Sequence, residues 1–492
     1  MKNTLPGLAR LSLFLLLLML APEPYAFISS SGAQPAAGAR VRPNFLVIVT
    51  DDQRPDTFSE TFMPRSFGRI AGEGILFEQA YVTTAHCCPS RASIFTGLLA
   101  RHHGIARNGT PIRASNYDNV HRFPLDLRAA GYRTALVGKF LNSWDGTWRR
   151  DEFDYWVSHP KGTIDDWFNF ELIHNDKTIT VRNEYITDKL LSYAVRFLNK
   201  ALSSEKPFVL YFAPTAPHTP ATPSPRHANA YQQLPLHRPP SFNEFDISDK
   251  PSWFQKQVPM MTAEKIAEID NLRLLKLRSL LAVDEAIDAM LTLLDQAGVL
   301  RNTVIIYTSD NSEFWGEHRL QGKGLFYEEA VRVPLVIRYP KFLSTSIPRV
   351  ESRRLVANID IAPTIYELAG VTLPSPIDGR SLVPLFSDDP VNWRKELFLE
   401  GWPDTFKGDG SPTLCSPPYT AIRTERYTYA ETHPNKGTDA ACSFARTQRA
   451  ELYDLKNDPF QIDNLEANVK YQEIRAKLKN RLDAYGYVEF PQ

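Results

Sequence analysis

The run Phe45-Leu46-Val47-Ile48-Val49-Thr50, followed directly by Asp51-Asp52, decides the fold class of this chain. An unbroken run of apolar and β-branched residues is typical of a strand that is buried on both faces of a parallel sheet. Three similar runs also end near polar residues: Thr134–Val137 before Gly138-Lys139, Phe208–Phe212 before Pro217-His218, and Val304–Thr308 before Asp310-Asn311. The runs predict an α/β fold with a mostly parallel central sheet flanked by helices.

The polar residues that follow these runs predict one common site. In open α/β sheets, ligands bind at the carboxyl ends of the strands. We therefore expect the carboxylates, the amide, Lys139 and His218 to meet there. Each of them taken alone could instead cap the helix that follows it.

Composition excludes some classes of partner. The chain has 492 residues, with 56 Lys and Arg against 56 Asp and Glu, so its formal net charge is zero. A broad basic surface for nucleic acid is not expected from this balance. The hydrophobic content of 43% is ordinary for a globular protein.

The N-terminus predicts export. Lys2 and Arg10 precede the apolar run Leu11–Ala21, which is short for a bilayer-spanning helix. We predict a signal peptide over residues 1–26, with an uncleaved anchor as the alternative, and a linker over residues 27–42. The exported protein is expected to have no stable membrane insertion.

The cysteines and the glycosylation sequence bear on the compartment. An oxidising compartment would permit a disulfide between Cys415 and Cys442. The sequence Asn108-Gly109-Thr110 is the single usable glycosylation sequon. Having a single sequon favours a periplasmic or secreted protein. If the chain is eukaryotic, the expected location is the lysosome.

The stretch Cys87-Cys88-Pro89-Ser90-Arg91, followed by Thr96-Gly97, is the most specific motif. It resembles the signature of type I sulfatases, in which a maturation enzyme oxidises the first cysteine to formylglycine. The resemblance extends from Asn44 to Leu465 and implies an alkaline-phosphatase-like fold. Together with Lys139-Phe140-Leu141-Asn142, the motif is most similar to the branch of N-acetylglucosamine-6-sulfatases and related glycan sulfatases. It implies hydrolysis of a sulfate ester on a sulfated sugar or glycosaminoglycan fragment.

The resemblance also implies roles for individual residues. Cys87 supplies the nucleophile, and Arg91 pairs with the hydrated aldehyde. Lys139 and His218 bind sulfate, Lys323 lies near the leaving oxygen, and either His218 or Lys323 could be the general acid. Pro89 suits the first turn of a helix, so we expect Ser90–Leu98 to be helical, with its N-terminus facing the sulfate.

A divalent cation is implied as well. Asp51, Asp52, Asp310 and Asn311 match the family's metal ligands, together with residue 87. Hard oxygen ligands suit Ca²⁺, or Mg²⁺ in a tighter shell.

Several positions depart from the family pattern or leave a role open. Leu141 stands where many arylsulfatases have a histidine. The base that deprotonates the second hydroxyl of the hydrated formylglycine could therefore be His103 or a metal-bound carboxylate. Ser312 stands where the family most often has glycine. His318 either contacts substrate or is structural.

We predict a catalytic domain over residues 43–390 and a C-terminal α+β subdomain over residues 391–492. In the first, residues 262–297 form one helix or two, preceded by an irregular loop over residues 219–259. In the second, we predict strands at Leu397–Leu399, Tyr419–Arg423 and Tyr427–Glu431 and a terminal helix at Lys470–Tyr485.

Two alternative functions stay open at this point. The first is a phosphonate monoester or phosphodiester hydrolase of the same superfamily, because sulfate and phosphate esters have similar shapes. The second is a catalytically silent glycan-binding protein. The oligomeric state and the precise substrate are not predicted.

Overall fold

The computed structural model describes residues 42–489 apart from 110–115, 143, 145–149, 161, 163, 341–348, 352, 388, 403–415 and 435–449. The predicted signal peptide, all of the linker except Arg42, and the predicted Cys415–Cys442 bond lie outside the described residues. No helix within the described ranges has both the length and the apolar character needed to cross a bilayer.

A ten-stranded sheet forms the centre of the molecule. Its strands are β1 (Asn44–Thr50), β2 (Ile75–Phe77), β4 (Arg133–Gly138), β5 (Tyr155–Ser158), β6 (Phe170–His174), β7 (Lys177–Val181), β8 (Phe208–Ala213), β9 (Thr303–Ser309), β12 (Leu335–Arg338) and β13 (Arg349–Glu351). Their order across the sheet is β13-β2-β12-β9-β1-β8-β4-β5-β6-β7. The five strands β9, β1, β8, β4 and β5 are mutually parallel. The four strands predicted from the sequence are among these five.

Both faces of this sheet are buried, which explains the unbroken apolar runs. Along β1, Phe45 and Val47 pack into one hydrophobic core, whereas Leu46 and Ile48 pack into the other. Three helices contribute side chains to the first core: α2 (Cys87–Thr96), α4 (Phe123–Ala129) and α9 (Ile361–Ala369). Three others cover the second face: α1 (Pro64–Ile70), α5 (Ile186–Leu202) and α7 (Ala263–Gln296).

Helix bounds refine the sequence predictions. The segment predicted as one helix or two is the single 34-residue helix α7, which Thr262 caps by accepting a hydrogen bond from the Lys265 amide. The predicted helix Ser90–Leu98 begins three residues earlier, at Cys87, so the signature cysteine lies in its first turn. The irregular loop over 219–259 contains one short α-helix, α6 (Ser252–Gln257), and a 3₁₀ helix at Pro225–His227. The other α-helices among the described residues are α3 (Ala100–His103), α8 (Glu328–Val331) and α10 (Gln472–Tyr485).

The C-terminal region, predicted as an α+β subdomain, forms a separate antiparallel sheet of four strands. Its strands are β15 (Glu396–Gly401), β16 (Tyr419–Thr424), β17 (Tyr427–Thr432) and β18 (Ala450–Asp454). The first three of these strands are predicted from the sequence, whereas β18 is not. Two small pairs complete the structure: β3 (Ala80–Tyr81) with β14 (Val356–Ala357), and β10 (Phe314–Trp315) with β11 (Gln321–Gly322).

Candidate active site

The carboxyl ends of the parallel strands bring the predicted polar residues together. Thr50 at the end of β1 is paired in register with Ser309 at the end of β9, so the next residues of the two strands meet. The Asp52 amide donates a hydrogen bond to Asp310 Oδ1 at 3.1 Å. Asp52 has a positive φ of 64°, a left-handed conformation that is uncommon for residues other than glycine and is typical of functional sites.

Gly138 places Lys139 in the same region. A Cβ atom at Gly138 would lie 1.9 Å from the carbonyl oxygen of Ala213, and its φ is +117°, so only glycine fits between β4 and β8. The amide of Lys139 then donates to the same carbonyl at 2.8 Å. The Lys139 ammonium reaches Asp51 Oδ2 at 2.7 Å, and both side chains are buried.

Cys87 lies at the centre of these groups. Its Sγ is 3.5 Å from Asp51 Oδ1, 4.0 Å from Asp52 Oδ1 and 2.9 Å from Lys323 Nζ. The Lys323 ammonium also contacts Asp52. We call these residues the Cys87 cluster: Asp51, Asp52, Cys87, Arg91, Lys139, His218, Asp310, Asn311 and Lys323.

Arg91 and His218 complete the cluster from two further elements. Arg91 projects from α2 with no exposed surface, and its Nε donates to Asp310 Oδ2 at 2.7 Å. His218 Nε2 is 3.7 Å from Asp52 Oδ2. The Nδ1 of His218 is 2.6 Å from the carbonyl oxygen of Thr219, which can only accept, so Nδ1 carries the proton.

Burial and the neighbouring charges determine which groups of the cluster are ionised. Burial raises the pKa of Asp51, but the cations Lys139, Arg91 and Lys323 outweigh it, and the net pKa is well below the ordinary value. Burial lowers the pKa of His218, so its imidazole is neutral.

The thiol behaves differently. Burial raises the pKa of Cys87 despite the nearby Lys139 and Lys323. An unmodified Cys87 is therefore a protonated thiol and a poor nucleophile, since the thiolate is the reactive form.

The donor set fits a hard divalent cation. Ligand atoms of Asp51, Asp52, Cys87 and Asp310 all lie within 4.8 Å of one another. The Oδ1 atom of Asn311 is buried and has no hydrogen-bond partner among the described residues, so it is free to bind a cation. Ser312, where the family most often has glycine, does not have a positive φ, so the serine fits this backbone without strain.

His103 and His318 lie outside this cluster. His103 is buried, with Nε2 3.1 Å from Ser93 Oγ, while Nδ1 accepts from the Ile105 amide at 3.2 Å. Its contacts therefore join α2 to the segment after α3. His318 is also buried, with Nδ1 2.6 Å from Glu244 Oε2. The structure does not bring either histidine into contact with the members of the Cys87 cluster.

One histidine beside the cluster was not singled out by the sequence analysis. His159 directly follows β5, is 1% exposed, and its Nε2 lies 2.8 Å from Thr215 Oγ1. The signal in the sequence was a polar residue after a short apolar strand, Tyr155–Ser158. That strand lies in a region with few other motifs, so the pattern was missed.

Comparison with known proteins identifies the class. The model of the sulfatase family matches residues 43–371, and a model described as the C-terminal region of N-sulphoglucosamine sulphohydrolase matches residues 316–486. The chain belongs to the sulfatase family, a family of sulfuric ester hydrolases. The resemblance seen in the Cys87 motif is thereby confirmed.

Individual members of the family are similar to this chain over most of its length. Human N-acetylglucosamine-6-sulfatase is 31% identical over 91% of this chain and 85% of its own length. A putative extracellular sulfatase Sulf-1 homolog from Caenorhabditis elegans is 34% identical over 74% of this chain, which spans about half (52%) of that relative. Among solved structures, a protein in complex with its substrate D-glucosamine-2-N,6-O-disulfate has a TM-score of 0.76 and 26% identity, over 90% of this chain and 97% of that one.

Proposed function

We propose that this protein hydrolyses a sulfate ester on a sulfated sugar, such as a sulfated glucosamine in a glycosaminoglycan fragment. The contact of Cys87 with two aspartates and Lys323 carries this proposal, because it joins the signature residue to both the cation ligands and a proton donor. The likeness to human N-acetylglucosamine-6-sulfatase and to the structure holding glucosamine disulfate supports a sugar substrate.

The reactive group would be formylglycine, made from Cys87 by a formylglycine-generating maturation enzyme. The raised pKa of the Cys87 thiol supports this, because the unmodified side chain is poorly suited to attack. When present, the hydrated aldehyde supplies a nucleophilic hydroxyl, and a divalent cation supplies Lewis-acid stabilisation of the sulfate charge. That cation would be held by residue 87 and by Asp51, Asp52, Asp310 and Asn311. Because these last four residues offer only oxygen ligands, the cation is expected to be Ca²⁺ or Mg²⁺.

The remaining residues bind charge and move protons. Lys139 and Lys323 are ammonium groups whose pKa values, despite burial, are raised by carboxylates, so both stay charged and can bind sulfate oxygens. Lys323 is adjacent to residue 87 and can donate a proton to the leaving oxygen. His218 holds its Nδ1 proton against Thr219, so it contacts substrate through Nε2. Arg91 keeps Asp310 oriented.

Mass spectrometry of the peptide that contains residue 87 tests the nucleophile. Protein produced with the maturation enzyme is expected to show conversion of CH₂SH to CHO, trapped by a hydrazide, and to release sulfate from glucosamine 6-sulfate. An unmodified thiol in matured, active protein would contradict the proposal. Faster turnover of an aryl phosphonate diester than of an aryl sulfate would favour the phosphonate hydrolase instead.

Chelation tests the cation. Removal of divalent ions is expected to abolish turnover, and adding Ca²⁺ is expected to raise the melting temperature of the wild-type chain, because a ligand that binds only the folded state stabilises it. Asp310→Asn removes one ligand charge and should weaken that Ca²⁺-dependent shift. Equal shifts in both proteins would remove Asp310 from the ligand set.

Export, to the periplasm or outside the cell, is part of the proposal. It rests on the charged and apolar pattern of residues 2–21 and on the similarity to a relative described as extracellular. Detection of the mature N-terminus after residue 26 by N-terminal sequencing of exported protein would test it.

A further inference from the structure

His159 is placed beside the sulfate-binding lysine by the register of the sheet. Gly138 at the end of β4 is paired with Ser158 at the end of the parallel strand β5. The next residues of the two strands, Lys139 and His159, therefore lie at neighbouring positions on the same edge of the sheet. Lys139 in turn contacts Asp51, and Asp51 contacts the Cys87 thiol, so His159 is adjacent to the cluster.

The two ring nitrogens of His159 have different environments. Nε2 lies 2.8 Å from Thr215 Oγ1, in the segment between β8 and His218. Nδ1 is buried and has no hydrogen-bond partner among the described residues. A buried polar nitrogen without a partner has given up its hydrogen bond to water on folding, so such an atom needs an explanation, and a ligand that is present during function is one.

The charge around His159 favours an anion. Burial, with the nearby cations Lys139 and Arg91, lowers its pKa to about 3, against the opposing effect of Asp51. The ring is therefore neutral and can donate one N–H without adding a positive charge. Leu141, where many arylsulfatases have a histidine, is buried and apolar and can make no such contact.

We propose that His159 is a further substrate-contacting residue, whose Nδ1–H donates a hydrogen bond to the sulfate group while its Nε2 accepts from the hydroxyl of Thr215. Many arylsulfatases have a histidine at the position of Leu141, shortly after β4. In this chain, His159, which directly follows the neighbouring strand β5, would take its place. This inference deepens the proposed function and rests on it for the identity of the anion.

Two amide substitutions separate the two nitrogens. His159→Gln keeps a polar group near the position of Nε2 and loses the group at Nδ1. His159→Asn does the reverse, since its amide nitrogen lies near the position of Nδ1. Both are made in the Cys87→Ala chain, so that binding is measured without maturation or turnover.

Calorimetric titration with inorganic sulfate is the test. His159→Gln is expected to weaken the sulfate affinity about tenfold or more, the effect of losing a hydrogen bond to a charged group. His159→Asn is expected to retain most of the affinity. Equal sulfate affinity in the Cys87→Ala chain and in its two His159 variants would overturn the proposal. A larger loss of affinity in His159→Asn than in His159→Gln would also overturn it. Thermal unfolding of each protein checks that it is folded.

A second measurement observes the tautomer of His159 directly, in protein that keeps this histidine. In Cys87→Ala protein labelled with ¹⁵N-histidine, the His159 signals are expected to show the Nδ1–H tautomer, and the Nδ1 shift should move when sulfate is added. His159→Gln serves only to assign the signals. An Nε2–H tautomer, or an Nδ1 shift that sulfate leaves unchanged, would overturn the proposal.

The proposed function fails in a different way. Its failure is an unmodified Cys87 or absent sulfate release in matured protein, whereas the His159 test uses neither. If the Cys87→Ala chain binds no sulfate at all, the inference is overturned whatever the state of Cys87 in the wild type.

Discussion

Two groups of charged residues differ in what their side chains surround: the Cys87 thiol in one group, and a contact between separate elements of the fold in the other. In the Cys87 cluster, Asn311 Oδ1 and one Arg91 nitrogen, Nη2, are buried without hydrogen-bond partners among the described residues. A second group, the Arg423 cluster, consists of Tyr81, Glu328 and Arg423. In it, Arg423 donates to Glu328 Oε1 and to the Tyr81 hydroxyl, both at 2.7 Å, while its Nη1 is buried without a hydrogen-bond partner among the described residues.

The difference separates a site from a structural contact. Arg423 belongs to β16 of the C-terminal sheet, whereas Glu328 and Tyr81 belong to α8 and β3, so the Arg423 cluster joins two parts of the fold. Its polar groups are largely used among themselves. The Cys87 cluster keeps unused donors and acceptors around one thiol, which is the arrangement a charged ligand requires. Substitutions should therefore affect activity in one cluster and stability in the other.

The largest expected effect is that of Cys87→Ala on turnover. We expect a loss of at least about 10⁴-fold in kcat for glucosamine 6-sulfate, because no other side chain can replace a covalent nucleophile. The free energy of unfolding, measured with urea, should change by no more than about 1 kcal/mol. Wild-type turnover in the variant would exclude Cys87 as the nucleophile. Wild-type protein that binds the sugar without turnover would instead support a silent binding protein.

Arg423→Met should reverse this pattern. It leaves the Glu328 carboxylate, whose side chain is 16% exposed, without its nearest cation, and breaking a fully buried pair in this way costs about 3–5 kcal/mol of unfolding free energy, so we expect a loss of about 3 kcal/mol. The kcat of the molecules that remain folded should be close to that of the wild type. Arg423→Met with Glu328→Gln is the matched control, since removing both charges should restore part of the stability. A kcat that falls as far as in Cys87→Ala would contradict the separation.

Much of the site could be predicted because its residues follow strands. Asp51, Lys139 and Asp310 each come directly after an apolar run, and the parallel register then brings them together. The pattern has a single outcome because the carboxyl ends of parallel strands share one edge of the sheet.

Other residues depend on contacts that no local pattern contains. His103 and His318 are chemically suited to catalysis, but long-range packing gives each a buried partner, Ser93 and Glu244 respectively. His159 does follow a strand, but its environment depends on Thr215, which lies 56 residues away, so the local pattern alone did not single it out. The strand β18 was missed because its pairing with β17 crosses a long connection.

Two neighbouring carboxyls on α8 give the finest comparison. Burial raises the pKa of Glu328, but Arg423 outweighs it, and the net pKa is below the ordinary value. Burial raises the pKa of Glu329 to about 7, and the nearby His318 opposes this only in part. One carboxyl belongs to the Arg423 cluster, whereas the other lies 3.8 Å from His318.

Glu329→Gln should therefore have a stability effect that depends on pH. A raised pKa means that the folded chain binds a proton that the unfolded chain has released, so the stability from Glu329 is full below about 4.5 and is lost as pH rises to about 7. At about 1.4 kcal/mol per pKa unit, the loss is at most about 3 kcal/mol. Urea unfolding at pH 5 and pH 8 should show that the variant gains stability over the wild type mainly at pH 8. Glu328→Gln is the control: its lowered pKa contributes stability that is fully present above the ordinary value of 4.5, so this variant should lose stability equally at pH 5 and pH 8. A difference between Glu329→Gln and wild type that is equal at both pH values would show that Glu329 is ionised in the folded protein throughout this range.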